Sequence, residues 1–125
     1  MKRKDFLDRD DLPGEQFIAE LGVGDELGPY CRWLREQVAA YAKIPAGKIY
    51  PADDTRELSA IVGGYDALEF HMKAEERFQT QIDDVAAPDL FPVWSVFGIR
   101  ISGEPITFGE WCVGFATCIR EGRKK

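Results

Sequence analysis

Few residues in this sequence have the chemistry and the spacing that catalysis requires. His71 is the single histidine, with Asp66 and Glu75 about one turn away on either side if the segment is helical. Any histidine-dependent nucleophilic mechanism would have to use it. His71 also lies between Phe70 and Met72 on a segment with one apolar face, which favours a packing role. We therefore predict a protein that is not an enzyme and has no catalytic residues.

The sequence is also poor in sites for metals and cofactors. The protein has three cysteines: Cys31, Cys112 and Cys118. They are widely spaced, odd in number and without a Cys-x-x-Cys pair, which argues against a zinc site and against a disulfide framework. We expect them to be small core residues, since unpaired cysteine usually behaves as a buried hydrophobe. No glycine-rich phosphate-binding motif is present. We predict no metal and no cofactor.

The charge and hydropathy pattern excludes two further classes of protein. In 125 residues there are 22 acidic and 16 basic side chains, a net charge of -6, and the basic runs are confined to 1–4 and 120–125. Nucleic-acid binding requires a clustered positive surface, so no nucleic-acid partner is expected. The most apolar stretch, 90–101, is interrupted by polar residues and is shorter than the roughly 18 residues of a membrane span. Without an apolar signal segment, a cytoplasmic location is expected.

The elements that would position these side chains are three amphipathic helices. The first is predicted to begin at Pro29 and to close by Pro45, because apolar residues recur between them at spacings of three and four. The second should run from 65 or 66 to 78 or 79. The third should begin with a capping box of Thr107 and Glu110 and end before Gly122. The predicted fold is mainly all-α, a helical bundle.

The remaining segments are less regular. We expect 1–28 to be a polar, partly flexible leader with one short helical piece at 15–21, 29–121 to be a single domain, and 122–125 to be a basic tail. An insertion at about 83–105 alternates in the manner of a β-strand or small hairpin between the last two helices. Its aromatic residues Phe91, Trp94 and Phe97 either form an exposed apolar patch that binds a lipid chain or a protein, or cover the core of the bundle.

Several of these segments together resemble the acyl carrier protein family. The stretches 66–70 and 74–82 follow the family's second helix without a gap, and 107–111 follows the start of its last helix. Residues 44–58 are similar to its first loop, and the segment at about 83–105 replaces its short third helix. The resemblance covers about 30–120 and implies an acyl-carrier-like helical bundle. The pattern is most similar to a bacterial group in this family that lacks the attachment serine.

The resemblance fails at the residue that carries the family's chemistry. The family's Asp-Ser-Leu-Asp motif aligns with 63–66, which places Gly64 where phosphopantetheine is attached to serine. Glycine has no side chain to esterify. Moving the register to Asp66 places Ala67 at the same position, so neither alignment supplies a hydroxyl. The resemblance therefore implies a carrier-like domain that cannot be loaded, in which Gly64 is a degenerate attachment position.

The acidic residues of the second helix match the positions by which carriers dock onto basic patches of partner proteins. These residues are Asp66, Glu69, Glu75 and Glu76. Docking of this kind is mainly electrostatic and weakens with salt. Lys73 and Arg77 interrupt the acidic face. The resemblance implies a protein-interaction module with a basic partner; the alternatives are an unconventional acyl- or lipid-binding protein and a plain structural helical domain with a solvated acidic face.

Overall fold

In residues 2–63, 67–82 and 107–124, the parts of the chain that the computed structural model describes, the structure is mainly α-helical. The elements are α1 (Arg3–Leu7), α2 (Gly14–Leu21), α3 (Gly28–Ala42), a 3₁₀ turn (Ala46–Lys48), α4 (Thr55–Ser59), α5 (Ala67–Phe78), β1 (Thr80–Gln81), α6 (Phe108–Glu121) and β2 (Arg123–Lys124). This confirms the mainly all-α class. The insertion at 83–105, with its expected strand or hairpin, lies outside the described residues. No helix in the described parts is long and apolar enough to cross a membrane.

Helices α3 and α6 pack against each other at the centre of the fold. Helix α3 has its proline in the first turn, where no backbone N–H is required, and it ends where Lys43 takes the left-handed conformation (φ 59°). In α6, Thr107 Oγ1 accepts a hydrogen bond from the Glu110 amide at 3.1 Å, and the Thr107 amide donates to Glu110 Oε1 at 3.2 Å. Both predicted helices are confirmed, and α6 ends before Gly122 as expected.

Helix α5 covers one side of this pair and is the predicted second helix. Its buried face carries Phe70 and Ala74, both fully inaccessible to solvent. The Phe70 ring lies 5.9 Å from that of Trp111 and 5.5 Å from that of Phe115, the latter edge-on. An edge-on pair such as that of Phe70 and Phe115 adds roughly 0.5–1.5 kcal/mol beyond the buried area. The aromatic cluster therefore fixes how α5 is oriented on α6.

Residues 123–124 of the expected basic tail form a short strand. After α5, Gln79 takes a positive φ of 51°, and Thr80–Gln81 then pairs antiparallel with Arg123–Lys124. A Cβ on Gly122 would lie 2.3 Å from Thr80 Oγ1, so this close approach of the two segments requires glycine. The pairing joins the end of α5 to the end of α6.

The amino-terminal segment, 2–28, contributes two helices to the fold. It contains α1 and α2, whose Phe6 and Phe17 are fully buried in the same core as α3 and α6. Burial of each ring contributes about 2 kcal/mol relative to exposure. Arg9 then forms a two-bond ion pair with Asp53, at 2.6 and 2.8 Å. Phe6 and Phe17 of the amino-terminal segment are therefore part of the same hydrophobic core as α3 and α6. The segment has few apolar residues, but tertiary contacts bury its two phenylalanine rings, Phe6 and Phe17, completely.

Candidate functional site

Five described side chains of α5 are exposed, those of Glu69, Met72, Lys73, Glu76 and Arg77, and the first four form a strip at helical spacing. Glu69, Met72, Lys73 and Glu76 recur at intervals of three, one and three residues, and all are exposed to solvent. Met72 is 59% exposed, the highest value among the exposed large hydrophobic residues of the described chain. Charged residues flank an accessible thioether. We call these four residues the α5 strip.

Part of the charge on this strip is held in a local network. Lys73 Nζ lies 3.3 Å from Glu69 Oε1 and donates a hydrogen bond to the Tyr41 hydroxyl at 3.0 Å. These contacts raise the pKa of Lys73, the Tyr41 hydrogen bond first and the Glu69 carboxylate second. Tyr41 belongs to α3, so the strip is attached to the central helix. The Lys73 ammonium offsets one of the two carboxylates, Glu69 and Glu76.

Of the four acidic residues that the sequence grouped together, the structure separates Glu75 from Glu69 and Glu76. Glu69 and Glu76 lie on the α5 strip. Glu75 is half-buried instead, and its Oε2 accepts a hydrogen bond from the Ile82 amide at 2.9 Å, which holds the chain where it leaves β1. Asp66 lies outside the described residues. Within the described part of α5, the expected docking set is therefore reduced to Glu69 and Glu76, with Met72 between them.

The loop between α4 and α5 is described up to Gly63. The amide of Gly63 donates to the Tyr41 carbonyl at 3.3 Å, which attaches this end of the loop to α3. The next residue, Gly64, lies outside the described residues, and α5 begins at Ala67. The aromatic residues Phe91, Trp94 and Phe97 of the insertion also lie outside them.

His71 lies in the core. It is 9% exposed, and its ring meets that of Phe115 edge-on at 5.1 Å. The Glu75 carboxylate, a possible partner for a catalytic histidine, is engaged by the Ile82 amide. Among residues 2–63, 67–82 and 107–124, no group of three or more His, Cys, Asp or Glu side chains is arranged to hold a metal ion.

The cysteines lie in or against the core as thiols, as expected. Cys31 and Cys112 are fully buried, Cys118 is half-buried against the core, and Cys31 Sγ approaches the Cys112 carbonyl at 3.7 Å. Burial raises the pKa of Cys31 to about 11, and burial is also the main cause that raises the pKa of Cys112 well above its ordinary value. The thiolate is the nucleophilic form, so neither buried thiol is suited to covalent chemistry at neutral pH.

The sequence did not predict the exposure of Met72 on α5 or the burial of Arg35 in α3. Met72 was assigned to an apolar segment, yet it points outward because it lies on the opposite side of the helix from Phe70 and Ala74. Arg35 is 3% exposed although it is charged. Helical spacing could have predicted this burial, because Arg35 lies four residues after Cys31 and three before Val38, and both of these lie on the buried face of α3.

Comparison with protein-family models, with curated proteins and with solved structures gives no match for this chain.

Proposed function

We propose that this protein is a non-enzymatic interaction module, an acyl-carrier-like domain without the phosphopantetheine-bearing serine, which docks onto a basic patch of a partner protein through the α5 strip. The observation that carries the proposal is the exposed Met72, at 59%, between the carboxylates of Glu69 and Glu76. An accessible thioether adapts to irregular apolar surfaces, and the flanking charges orient a basic partner.

The order of the elements supports the carrier-like part of the proposal. Helix α3 is followed by a loop that contains α4, then by α5, and later by α6. This is the order that the resemblance to acyl carriers implies for the first, second and last helices. The glycine at position 64 supports the absence of loading, because it has no hydroxyl to form the phosphodiester. A cytoplasmic location stays a prediction from the sequence.

The docking part is tested by binding with matched charge variants. The immobilised full chain is exposed to extract of its native cell at low and high salt, and retained proteins are identified. A partner that docks on the α5 strip should be retained by the wild type at low salt and lost at high salt. It should also be lost with the Glu69→Lys/Glu76→Lys variant, because the interaction is electrostatic.

A control variant makes the same charge change elsewhere. Asp8 and Glu121 are exposed and lie at the ends of α1 and α6, where lysine is compatible with the helix dipole. Asp8→Lys/Glu121→Lys should retain the partner at low salt. The docking proposal fails if the two double variants lose the partner equally, or if Met72→Gln and the α5 variant retain it as the wild type does.

The absence of loading is tested separately by mass spectrometry. The protein is incubated with coenzyme A and a phosphopantetheinyl transferase of broad specificity. The wild type should keep its mass, and a gain of one phosphopantetheine would overturn the assignment of Gly64. The Gly64→Ser variant should gain this group if the start of α5 retains the recognition surface of a carrier. No gain by a correctly folded variant would contradict the carrier-like part of the proposal.

A further inference from the structure

Arg35 is a buried cation whose hydrogen bonds are incomplete. Its Nε and Nη2 donate to the Ile49 carbonyl at 3.1 and 2.9 Å, and Nη2 also donates to the Leu12 carbonyl at 2.9 Å. The guanidinium carbon lies 4.3 Å from the centre of the Phe17 ring. Within the described residues, Nη1 has no acceptor and no carboxylate forms an ion pair with Arg35. A cation in this position, 3% exposed, ordinarily has a counter-ion.

Arg35 lines a cavity of about 310 Å³ between α2, α3 and the 3₁₀ turn. The cavity reaches Gly14, the first residue of the eight-residue helix α2. The first hydrogen bond of α2 is donated by the Phe17 amide to the Pro13 carbonyl, so the amides of Gly14, Glu15 and Gln16 have no intrahelical acceptor. Pro13, at the N-cap, supplies no side-chain acceptor. The positive end of α2 therefore opens onto the same space as Arg35.

A second cation lies at this helix end. A Cβ on Gly14 would be 3.6 Å from Arg32 Nε, which places the Arg32 guanidinium against the start of α2. A cation beside the positive end of a helix dipole is unfavourable unless an anion lies between them. Arg32 lines the cavity and, within the described chain, forms no ion pair with Glu36, one turn farther along α3.

Asp11, Asp53 and Glu20 act on Arg35 electrostatically, but within the described residues no carboxylate is in ion-pair contact with Arg35 or Arg32. Asp11 pairs with Lys48 at 3.2 Å, and its side chain is 72% exposed. Glu36 lines the cavity and is exposed. Glu36 therefore opposes an anion in the cavity without being in ion-pair contact with Arg32. Removal of the Glu36 charge should therefore strengthen anion binding, whereas removal of the Arg32 charge should weaken it.

We propose that the cavity between α2 and α3 binds a small oxyanion, the phosphate or carboxylate group of a small molecule, through Arg35, Arg32 and the free amides at the start of α2. The buried Arg35 supplies the fixed charge, the helix end supplies the amides, and Arg32 covers the anion from the solvent side. The volume suits a compact ligand, since small-molecule sites begin at about 300 Å³. This site is separate from the α5 strip and does not depend on the proposed docking function.

The test is an NMR titration of the full chain with inorganic phosphate and, in a second arm, with acetate, at constant ionic strength set with sodium chloride. We expect saturable shifts of the Gly14, Glu15 and Gln16 amides. Saturation by phosphate alone assigns a phosphate group, by acetate alone a carboxylate, and by both an oxyanion of either kind. Arg32→Gln should weaken binding about tenfold, the value of one charge-assisted hydrogen bond.

Two further variants keep the test independent of folding. Arg32 and Glu36 are exposed, so their replacement should leave the fold intact. Glu36→Gln should tighten binding about two- to threefold, since it removes an exposed opposing charge. The exposed Lys4 lies on α1, and Lys4→Gln should leave binding unchanged. Shifts that do not saturate, or an Arg32→Gln variant that binds like Lys4→Gln, would overturn the proposal.

Discussion

The ion pair between Arg9 and Asp53 is predicted to hold the amino-terminal segment in the fold. The two guanidinium nitrogens of Arg9 donate to the two carboxylate oxygens of Asp53 at 2.8 and 2.6 Å. The side chains are 18% and 5% exposed. Arg9 also contacts the faces of Phe6 and Tyr50, at 4.8 and 4.4 Å. We therefore expect Asp53→Asn and Arg9→Met each to destabilise the protein substantially.

The expected magnitude follows from burial. Removal of one partner of a fully buried pair costs about 3–5 kcal/mol, because a charge is left without compensation. Arg9 retains partial contact with water, so we expect each single variant to lower the free energy of unfolding by about 2–3 kcal/mol. The Tyr50 amide also donates to Asp53 Oδ2 at 2.8 Å, and an asparagine oxygen can keep that bond. For a chain of this length the change corresponds to a decrease in Tm of roughly 6–12 °C.

The assay is a double-mutant cycle by urea denaturation, with Arg9→Met, Asp53→Asn and the double variant. We expect a coupling free energy of about 2 kcal/mol. The pair Arg56 and Asp54 is a matched control, since it has the same chemistry at 2.9 Å but side chains that are 51% and 33% exposed. Its cycle, Arg56→Met with Asp54→Asn, should give a smaller coupling free energy, because solvent screens exposed ion pairs.

The comparison of the two cycles can refute the reasoning. If the Arg9–Asp53 coupling is no larger than that of Arg56 and Asp54, burial does not strengthen the pair and another contact holds the segment. Substitutions at surface positions usually change the free energy of unfolding by no more than about 0.5 kcal/mol. A change this small in either single variant would contradict the assignment of 2–28 to the core domain.

Two further predictions follow from close packing and from burial. Gly109→Ala should lower the free energy of unfolding by about 1–3 kcal/mol, because the new Cβ would lie 2.9 Å from Leu21 Cδ2 and 3.1 Å from the Pro51 carbonyl oxygen; thermal unfolding unchanged from the wild type would contradict this. The pKa of Cys31 is raised by burial to about 11, so between pH 9 and pH 11 the unfolded chain loses the thiol proton while the folded chain keeps it. The free energy of unfolding should therefore fall as pH rises above 9, and fall less steeply in Cys31→Ala; equal slopes in urea denaturation would contradict the raised pKa.

Most of the helical framework could be predicted from the sequence. The start of α6 was given by Thr107 and Glu110, because a capping box depends on residues only three apart. The bounds of α3 followed from apolar spacing with Pro29 in its first turn, and the end of α5 at Phe78 lies within the predicted range. Such signals are local, and the structure confirms them.

The candidate site was predictable only in part. Spacing placed Glu69 and Glu76 on one helix face, but it could not separate Glu75 from them, because that depends on where the Ile82 amide returns after β1. The exposure of Met72 required knowing which side of α5 faces α6. The Arg35 cavity depends on how α2, α3 and the 3₁₀ turn, which follow one another in the chain, pack together, and periodicity does not determine that packing.

By itself the sequence determined the mainly helical class, the three principal helices, the excess of acidic charge and the lack of a hydroxyl at position 64. Only the tertiary structure decided that the amino-terminal residues belong to the core, that Arg123–Lys124 pairs with Thr80–Gln81, and that Arg35 is buried beside the start of α2. The physical reason is the distance along the chain over which each kind of interaction acts. Helix periodicity and caps act over one or two turns, whereas ion pairs, strand pairing and the burial of a few aromatic rings join segments that composition alone would leave in solvent.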